Sequence, residues 1–421
     1  MPTSFTKEEL VMFDDVIQGF DAFLSYGALA TKYEPETPET MLHTRDRLWL
    51  PAPMIGASYD GFDQTSNFDG LTELSVPVRV GFHKVVPKVL SAKNLRNKTA
   101  LRMYGDAAKE QMAVQVNARL RDRVALEGSV FVKRTVAPTG FDDVALANAA
   151  LTEVGVPTAN RAIMLGTRTA VPMASNLAGR SEDTSRSSDA YTSGLMARRV
   201  ANFDVYNDDA PIRLAPAAGG ATTINGANQY TEPAATYLEP DGEEVNKDNR
   251  YTDLTVTSAN YAGIKVGDAF TIAGVNSMHL IEKQDTGQLQ TFRVVGKPAA
   301  NTIRVYPAII SNGGNTIGGR EYQNVTTTPA NGAALTWLNT TAAEVNPFFV
   351  RGALMLIPGS FEVENDAGWI STQATTDQGV TIRYTRQGDI NTLNLKFRWD
   401  IDFGTALVNP QMAGAMMFGQ A

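Results

Sequence analysis

The chain has 421 residues and a net charge of −8, with 43% hydrophobic and 19% charged residues. This length allows two or three domains, and the composition is typical of folded globular proteins, so it argues against a disordered chain and against a membrane protein. The acidic balance argues against a dedicated nucleic-acid binder, because contacts with phosphates need a basic surface.

The chain contains no cysteine, which excludes disulfides, thiolate nucleophiles and most structural zinc sites. Its three histidines, His43, His83 and His279, are far apart in sequence, and none lies in a metal-ligand spacing. We therefore interpret each as structural or exposed. The N-terminal sequence lacks the pattern of a signal peptide, and no run approaches the ~18 apolar residues of a membrane span. Synthesis in a cytoplasm and no contact with a membrane are expected.

An amphipathic helix is predicted within the first thirty residues. Its apolar face contains Leu10, Phe13, Val16, Ile17 and Phe20. Asp14 and Asp15 flank this face, and Glu8 and Glu9 make the segment acidic. Two interpretations remain open, a solvated helix face and an acidic arm that docks onto a partner.

Two strands and a long helix follow. A strand is predicted around Leu48 to Leu50, and strict alternation predicts another from Leu74 to Phe82, with an exposed loop at 57–70 between them. Pro77 lacks a backbone N–H and favours an edge position for the second strand. Residues 94–127 contain one glycine and no proline, which predicts a helix that ends before Gly128.

The long helix has an apolar stripe with a spacing of four residues. It contains Tyr104, Ala108, Met112, Val116, Leu120 and Val124. Because four residues exceed one helical turn by about 40°, the stripe winds around the helix. The helix either meets different partners along its length or forms the core of one domain.

The middle of the chain contains two segments with different sequence patterns. Residues 142–166 read as a helix followed by a strand, and a second helix-like stretch lies at 195–200; this α/β pattern is interrupted near Pro211. A block at 221–343 is rich in Gly, Asn, Thr and Pro. Its short apolar runs are 254–257, 269–273, 291–295 and 302–305. They predict a small antiparallel barrel or sandwich.

Two further strands are predicted beyond this block. Residues 348–357 read as one buried apolar strand. Residues 393–403 alternate between large apolar and polar or charged side chains, which predicts a strand with one buried and one charged face.

No short catalytic or cofactor-binding motif occurs, so no catalytic residue, cofactor or metal site is predicted, and enzyme function is disfavoured. One charged loop at 239–250 stands out. Its charged residues are Glu239, Asp241, Glu243, Glu244, Lys247, Asp248 and Arg250. The loop does not fit the register of a calcium-binding loop. It is interpreted either as a solvated turn or as a protruding loop that forms reciprocal ion pairs with a symmetry mate.

A collinear set of motifs resembles the coat proteins of P22-like tailed bacteriophages. The motifs are DDVI (14–17), RLWLPAP (47–53), AYTSGLMARRVANFD (190–204), DGEEVNKDNR (241–250), GIKVGDAFTIAGV (263–275), QTFRVV (290–295) and RQGDINTLNLKFRWDIDFGTALVNPQ (386–411). The resemblance implies an α+β chain with the HK97-like capsid fold and an inserted antiparallel β-barrel domain.

The resemblance also implies a division of the chain into segments. These are an N-terminal arm (1–35), an extended loop with strands of the peripheral domain (36–92), a spine helix (93–130), the first part of the axial domain (131–218), the inserted barrel (219–345), the return of the axial domain (346–380) and a peripheral C-terminal strand and tail (381–421). In such relatives the charged loop reaches across local two-fold axes between capsomers. That role is carried to Asp241, Gly242, Val245, Asn246, Asp248, Asn249 and Arg250.

The implied function is that of a major capsid protein, made and assembled in the cytoplasm of a bacterial host. Its expected partners are other copies of itself in hexamers and pentamers, a scaffolding protein, a portal protein, and encapsidated double-stranded DNA held without sequence specificity. Asp14 and Asp15 are the candidate contacts for the scaffolding protein. The alternative is a virion surface protein that binds a receptor or glycan.

Overall fold

A computed structural model describes residues 7–20, 24–33, 47–56, 58, 60–63, 65, 68, 72–91, 98–179, 199–314, 316–359, 369–376 and 378–421. Contacts between Cα atoms divide the chain into two compact units. Unit 1 contains Met1–Leu48, Val78–Arg121 and Leu354–Ala406. Unit 2 contains Trp49–Pro77, Asp122–Ala353 and Leu407–Ala421.

The described α-helices are α1 (Lys7–Phe20), α2 (Ser25–Leu29), α3 (Lys98–Glu127), α4 (Phe141–Glu153), α5 (Thr167–Gly179) and α6 (Ile317–Glu321). The described strands up to the barrel are β1 (Thr31–Lys32), β2 (Arg47–Pro51), β3 (Ser75–Ser91), β4 (Val130–Lys133), β5 (Arg161–Gly166), β6 (Arg199–Val200), β7 (Phe203–Asp208) and β8 (Arg213–Leu214). The next are β9 (Thr222–Ile224), β10 (Thr236–Leu238), β11 (Glu244–Asn246), β12 (Thr252–Ser258), β13 (Ala269–Met278), β14 (Asp285–Ala299), β15 (Thr302–Tyr306), β16 (Ala334–Trp337) and β17 (Ala343–Glu344). The last are β18 (Asn346–Val350), β19 (Leu354–Pro358), β20 (Ile370–Thr375), β21 (Thr381–Asp389), β22 (Asn394–Leu407) and β23 (Ala413–Met417).

A seven-stranded sheet has the order β1-β19-β22-β21-β20, with β3 paired to β22 and β2 paired to β3. The predicted strand that begins near Leu74 is confirmed as β3, and it continues to Ser91. Pro77 precedes the part of β3 that pairs with β22, which runs from Val80 to Ser91. The missing N–H of Pro77 therefore removes no hydrogen bond from that ladder.

The predicted long terminal strand is confirmed as β22, but its two faces differ from expectation. Trp399 and Ile401 are fully buried, as the alternation predicts, whereas Leu393 precedes the strand and is 69% exposed. Asp400 was expected on the charged, solvated face and is instead completely buried. Its carboxylate lies 2.7 Å from Nη2 of Arg398 and 3.4 Å from Nη2 of Arg383, and these cations offset the cost of burying a charge.

The predicted amphipathic helix is confirmed as α1, with one residue misassigned. Phe13, Val16 and Phe20 are buried, but Leu10 is 47% exposed. Glu9 takes a position on the buried side, where Nη1 of Arg386 donates to both of its carboxylate oxygens. An ion pair with a partly buried arginine can thus replace an apolar contact at a helix face.

The predicted long helix is confirmed as α3, which ends at Glu127, directly before Gly128. Its stripe is buried from Ala108 through Val124, whereas Tyr104 is only partly buried. A Cβ at Gly105 would lie 3.0 Å from Cγ of Met12, so the glycine allows α1 to pack close to the helix.

Unit 2 contains a mixed sheet with the order β4-β23-β18-β5-β7-β6. The predicted helix and strand at 142–166 are confirmed as α4 and β5, and Leu151 of the helix packs in one core with Ile163 and Phe348 of the sheet. The helix-like stretch at 195–200 was wrong for Arg199 and Val200, which form β6; its first residues lie outside the described part of the chain. Helix α5 was not predicted from the sequence.

The predicted antiparallel barrel is confirmed. It is closed, with the order β12-β15-β14-β13-β16-β9. All four predicted runs lie in its strands, and its interior is filled by apolar side chains that include Phe270 and Phe292, whose ring centroids are 5.7 Å apart. The α+β fold class with an inserted barrel therefore holds.

One predicted strand is divided in the structure. Residues 348–357 were expected to be one strand, but a 3-10 turn at Arg351–Ala353 separates β18 from β19, and the two belong to different sheets. The C-terminal part of the chain contributes to both units. Residues 381–406 belong to unit 1, and Leu407–Ala421 belongs to unit 2, where β23 pairs with β4 and β18.

Within unit 2, side chains of strand β14 donate hydrogen bonds to backbone carbonyls that lie outside the barrel. Nη2 of Arg293 donates to the Ala125 carbonyl, and Nε donates to the Leu126 carbonyl at 3.4 Å. These carbonyls belong to the last turn of α3, where helix carbonyls lack partners and a cation is favourable. Burial lowers the pKa of Arg293 to about 10. Oγ1 of Thr291 also donates to the Ser129 carbonyl at 2.7 Å.

Candidate assembly surface

The charged loop at 239–250 forms the end and the base of a β-hairpin. Strands β10 and β11 pair antiparallel, with Thr236 opposite Asn246 and Leu238 opposite Glu244. The turn between them contains Gly242 at a φ of +87°, which a residue with a side chain adopts only with strain. Its amide donates to the Glu239 carbonyl at 2.9 Å. The chain therefore holds a defined turn here.

The end of the hairpin is acidic and solvated. We call residues 239–244 the tip. Asp241, Glu243 and Glu244 are exposed, and Glu239 is half-buried. Asp241 also orders the turn, because its Oδ1 accepts a hydrogen bond from the Glu243 amide at 3.1 Å. The tip carries four carboxylates and no cation.

The base of the hairpin, residues 247–250, is directed into its own subunit. Nζ of Lys247 donates to the Glu232 carbonyl at 2.6 Å, and burial lowers the pKa of Lys247. Asn249 is buried, and its side chain both donates to and accepts from the backbone of Ala234, at 2.8 and 3.1 Å. These contacts fix the path of the chain into β10.

Arg250 is the centre of the base. Its guanidinium pairs with Asp248 and donates through Nη1 to the Leu407 carbonyl at 2.9 Å. A further, longer contact of 3.4 Å joins Nη2 to the Pro77 carbonyl, and the guanidinium lies 5.6 Å from the ring centroid of Tyr306. Burial disfavours its charge, but Tyr306 and Asp248 outweigh burial and raise the pKa of Arg250.

The structure thus separates the predicted loop into two groups with different surroundings. Glu239, Asp241, Glu243 and Glu244 lie at the tip. Lys247, Asp248 and Arg250 lie at the base, with hydrogen-bond partners in their own subunit. The sequence did not indicate Tyr306 or the carbonyls of Pro77 and Leu407 as partners, because they are distant along the chain.

The second predicted site lies on α1 in unit 1. Asp14 and Asp15 are both exposed, on the side of the helix opposite Phe13 and Val16. Both carboxylates are therefore accessible to solvent.

Among the described residues, no group of three or more His, Asp or Glu side chains is placed to hold a metal ion. His83 and His279 belong to this part of the chain, and His43 lies outside it. None of the described helices is both long and apolar enough to cross a membrane.

Comparison with known proteins identifies the family of this chain. Residues 1–419 match a family model described as "P22 coat protein - gene protein 5". A similar solved structure is that of Mycobacterium phage Che8, with 10% identity, a TM-score of 0.45, and coverage of 93% of this chain and 90% of that one. Another is the capsid structure of cyanophage P-SCSP1u, with 10% identity, a TM-score of 0.44, and coverage of 93% and 86%. The CUS-3 coat protein I-domain is 36% identical, with a TM-score of 0.23, over 29% of this chain and 98% of that one.

The family match defines the class: this is a structural protein, the major capsid protein of a tailed phage, and it forms the shell of the virion. The chain belongs to the P22 coat protein family, which confirms the resemblance inferred from the motifs.

Proposed function

We propose that the tip contacts a subunit of a neighbouring capsomer in the assembled shell, and that the base holds the hairpin in the position this contact requires. One observation carries the proposal: four carboxylates are concentrated on the tip, while the cations of the same loop are engaged by their own subunit. An exposed surface with charges of one sign is suited to contact with a partner of complementary charge.

A contact of this kind is weak by itself. An exposed ion pair contributes roughly 0.2 to 1 kcal/mol. A closed shell repeats the contact in every subunit, so small terms add to a stable assembly. Removal of the tip charges should therefore change the shell much more than it changes the isolated subunit.

The test is a double variant, Asp241→Asn with Glu243→Gln. The matched control is Asp209→Asn with Glu282→Gln, which removes the same charge from exposed carboxylates elsewhere in unit 2. Both variants should unfold within about 0.5 kcal/mol of the parent, as exposed positions generally do. Electron microscopy should show open or aberrant particles for the tip variant alone. Normal, equally stable shells from the tip variant would refute the proposal.

We also propose that Asp14 and Asp15 contact a basic segment of a scaffolding protein during assembly. Their exposure on α1 supports this role, together with the acidic character of the segment. The helix is fastened through Glu9 and Arg386, so the two carboxylates are presented on an ordered surface.

The remaining partners rest on the family resemblance. The shell is proposed to consist of hexamers and pentamers, to meet a portal protein, and to enclose double-stranded DNA without sequence specificity. Synthesis and assembly are assigned to the bacterial host cytoplasm. The names arm, extended loop, spine helix, axial domain and peripheral domain are likewise proposals for the segments. The family match over residues 1–419 favours a capsid protein over a receptor-binding or glycan-binding surface protein.

A further inference from the structure

The hairpin carries an exposed apolar strand edge beside its acidic tip. Leu238 is 71% exposed and Tyr237 is 45% exposed, both on β10. Within the described part of the chain, β10 and β11 form a sheet of two strands, so the outer edge of β10 has no neighbouring strand. Exposed strand edges are sites of pairing with another chain.

The backbone of β10 determines which groups face outward. The Glu239 amide donates to the Glu243 carbonyl, and the Lys247 amide donates to the Ala235 carbonyl. Odd-numbered residues of β10 therefore face β11, because antiparallel strands alternate between hydrogen-bonded and non-hydrogen-bonded pairs. The N–H and C=O groups of Thr236 and Leu238 face away from β11.

Only a short part of this outer edge can accept a partner strand, because it is limited at both ends. The backbone of Ala234 is already bonded to the side chain of Asn249. Pro240 follows on the other side and has no N–H to donate. Only Thr236 and Leu238 remain, so a partner strand has a single register that uses both residues fully.

We infer that β10 pairs antiparallel with β10 of a second copy across a two-fold axis. The axis passes beside Tyr237, and Thr236 of each copy exchanges two hydrogen bonds with Leu238 of the other. The same surface is then used twice, as a two-fold contact requires. The inference rests on the proposed function, that the hairpin contacts another copy, and it names the strand that makes the contact.

The charges favour this arrangement over direct contact between two tips. Two tips that met would bring carboxylates together without a cation from either tip. Antiparallel pairing centred on Tyr237 sends the tips in opposite directions. Asp241 is four residues from Tyr237, so each tip lies roughly 13 Å from the axis at ~3.3 Å per residue. The two tips are then roughly 26 Å apart, well beyond the ~8 Å screening length at physiological salt. The edge of β11 is less suitable, because it begins with Glu244.

Cross-linking tests the inference directly, because the parent chain has no cysteine. Tyr237→Cys places two thiols opposite each other at a non-hydrogen-bonded pair, where the Cα atoms are ~4.5 Å apart and a disulfide fits. Asn246→Cys, on the outer edge of β11, is the matched control. Assembled shells are oxidised with copper phenanthroline and analysed on non-reducing gels. A chain with one cysteine can form a disulfide only with another chain.

The expected result is a covalent dimer from Tyr237→Cys shells, about tenfold more abundant than from the Asn246→Cys control, whose thiols would lie beyond the bridging distance. Unassembled Tyr237→Cys subunits should give no such dimer. If Tyr237→Cys does not form shells, a Thr236→Cys chain co-assembled with a Leu238→Cys chain probes the same register and should give the heterodimer.

Two outcomes overturn the inference. Cross-linking of Asn246→Cys instead of Tyr237→Cys would assign the contact to β11 and leave the proposed function intact. Absence of cross-links from intact Tyr237→Cys shells, or from the co-assembled pair, would exclude pairing of β10. The tip variant then decides separately whether the hairpin contacts another capsomer.

Discussion

Asp248 and Arg250 form a two-pronged ion pair at the base of the hairpin, with Nε to Oδ1 at 2.9 Å and Nη2 to Oδ2 at 2.8 Å. Asp253 and Arg304 in the barrel form a pair of similar geometry, at 2.7 and 2.8 Å. The two pairs differ in exposure. Side chains of the first are 15% and 13% exposed, and those of the second are 36% and 35% exposed. The two ion pairs have similar geometry and differ in burial, so comparing them isolates the effect of burial on an ion pair.

Removal of the Asp248 carboxylate at the base should lower the free energy of unfolding far more than removal of the Asp253 carboxylate on the barrel surface. Asp248→Ala leaves Arg250 charged and nearly buried, so the free energy of unfolding should fall by about 3 kcal/mol. Asp253→Ala leaves a solvated cation and should cost less than about 1 kcal/mol. Urea unfolding of the purified subunit measures both. Equal losses would show that burial does not distinguish these pairs.

Gly414 should tolerate no side chain. A Cβ there would collide with the Val130 carbonyl of the paired strand β4 and lie 2.5 Å from the ring of Phe348. Gly414→Ala should therefore lower the free energy of unfolding by about 3 kcal/mol. Gly296→Ala in β14 is the control, because the nearest atom to its Cβ would be 3.7 Å away, and it should change stability by less than about 1 kcal/mol. Unfolding by urea distinguishes the two, and a tolerated Gly414→Ala would contradict the close approach of β23 to Val130 and Phe348.

The free energy of unfolding of the subunit should increase as pH rises from 8 to 10, because Lys283 loses its proton in this range. Burial lowers the pKa of Lys283 to about 8, against a partial opposing effect of Glu321. The unfolded chain, with an ordinary lysine pKa of 10.5, binds more protons in this window. Loss of that proton therefore favours the folded state, by about 1 kcal/mol after allowance for solvent screening.

The check is a pair of stability profiles over this pH range, one for the parent chain and one for Lys283→Met. The variant should lack the rise. The pKa of Arg293, about 10, limits the window on the alkaline side, because that group begins to contribute there. A rise that persists in Lys283→Met would assign it to another group.

Replacement of both Asp14 and Asp15 by alanine should weaken assembly that depends on the scaffolding protein and leave the subunit folded. The two carboxylates are exposed, so thermal unfolding should be nearly unchanged. The rate of shell formation, followed by light scattering, should fall about fivefold, because charges at the rim of an interface act mainly on association. Glu110→Ala, an exposed carboxylate of α3, is the control. Equal rates for parent and double variant would remove α1 from the scaffolding contact.

Much of the fold could be predicted because local periodicity reflects burial directly. The alternation around Trp399 predicted β22, and the four-residue stripe through Val116 predicted α3. Failures occurred where a distant residue changed the environment of a local one. Asp400 lies on the polar side of its strand, yet arginines of β21 and β22 allow it to be buried. Glu9, and not Leu10, lies on the buried face of α1, because Arg386 forms an ion pair with Glu9.

The charged loop shows the same limit. Its residues were identified as one group because they are adjacent in sequence. Whether each charge faces solvent or its own subunit depends on carbonyls contributed by Pro77 and Leu407, more than 150 residues away in both directions. The exposed edge at Leu238 was also missed, because a single leucine next to a turn has no periodic pattern.

In the proposed shell, the hairpin tip of each subunit joins neighbouring capsomers. A cryo-EM reconstruction of particles formed by the unaltered chain tests it most directly. We expect closed icosahedral shells in which residues 239–244 of each subunit contact a subunit of the adjacent capsomer. Closed shells whose tips project into solvent without such a contact, or a protein that remains monomeric under assembly conditions, would contradict it.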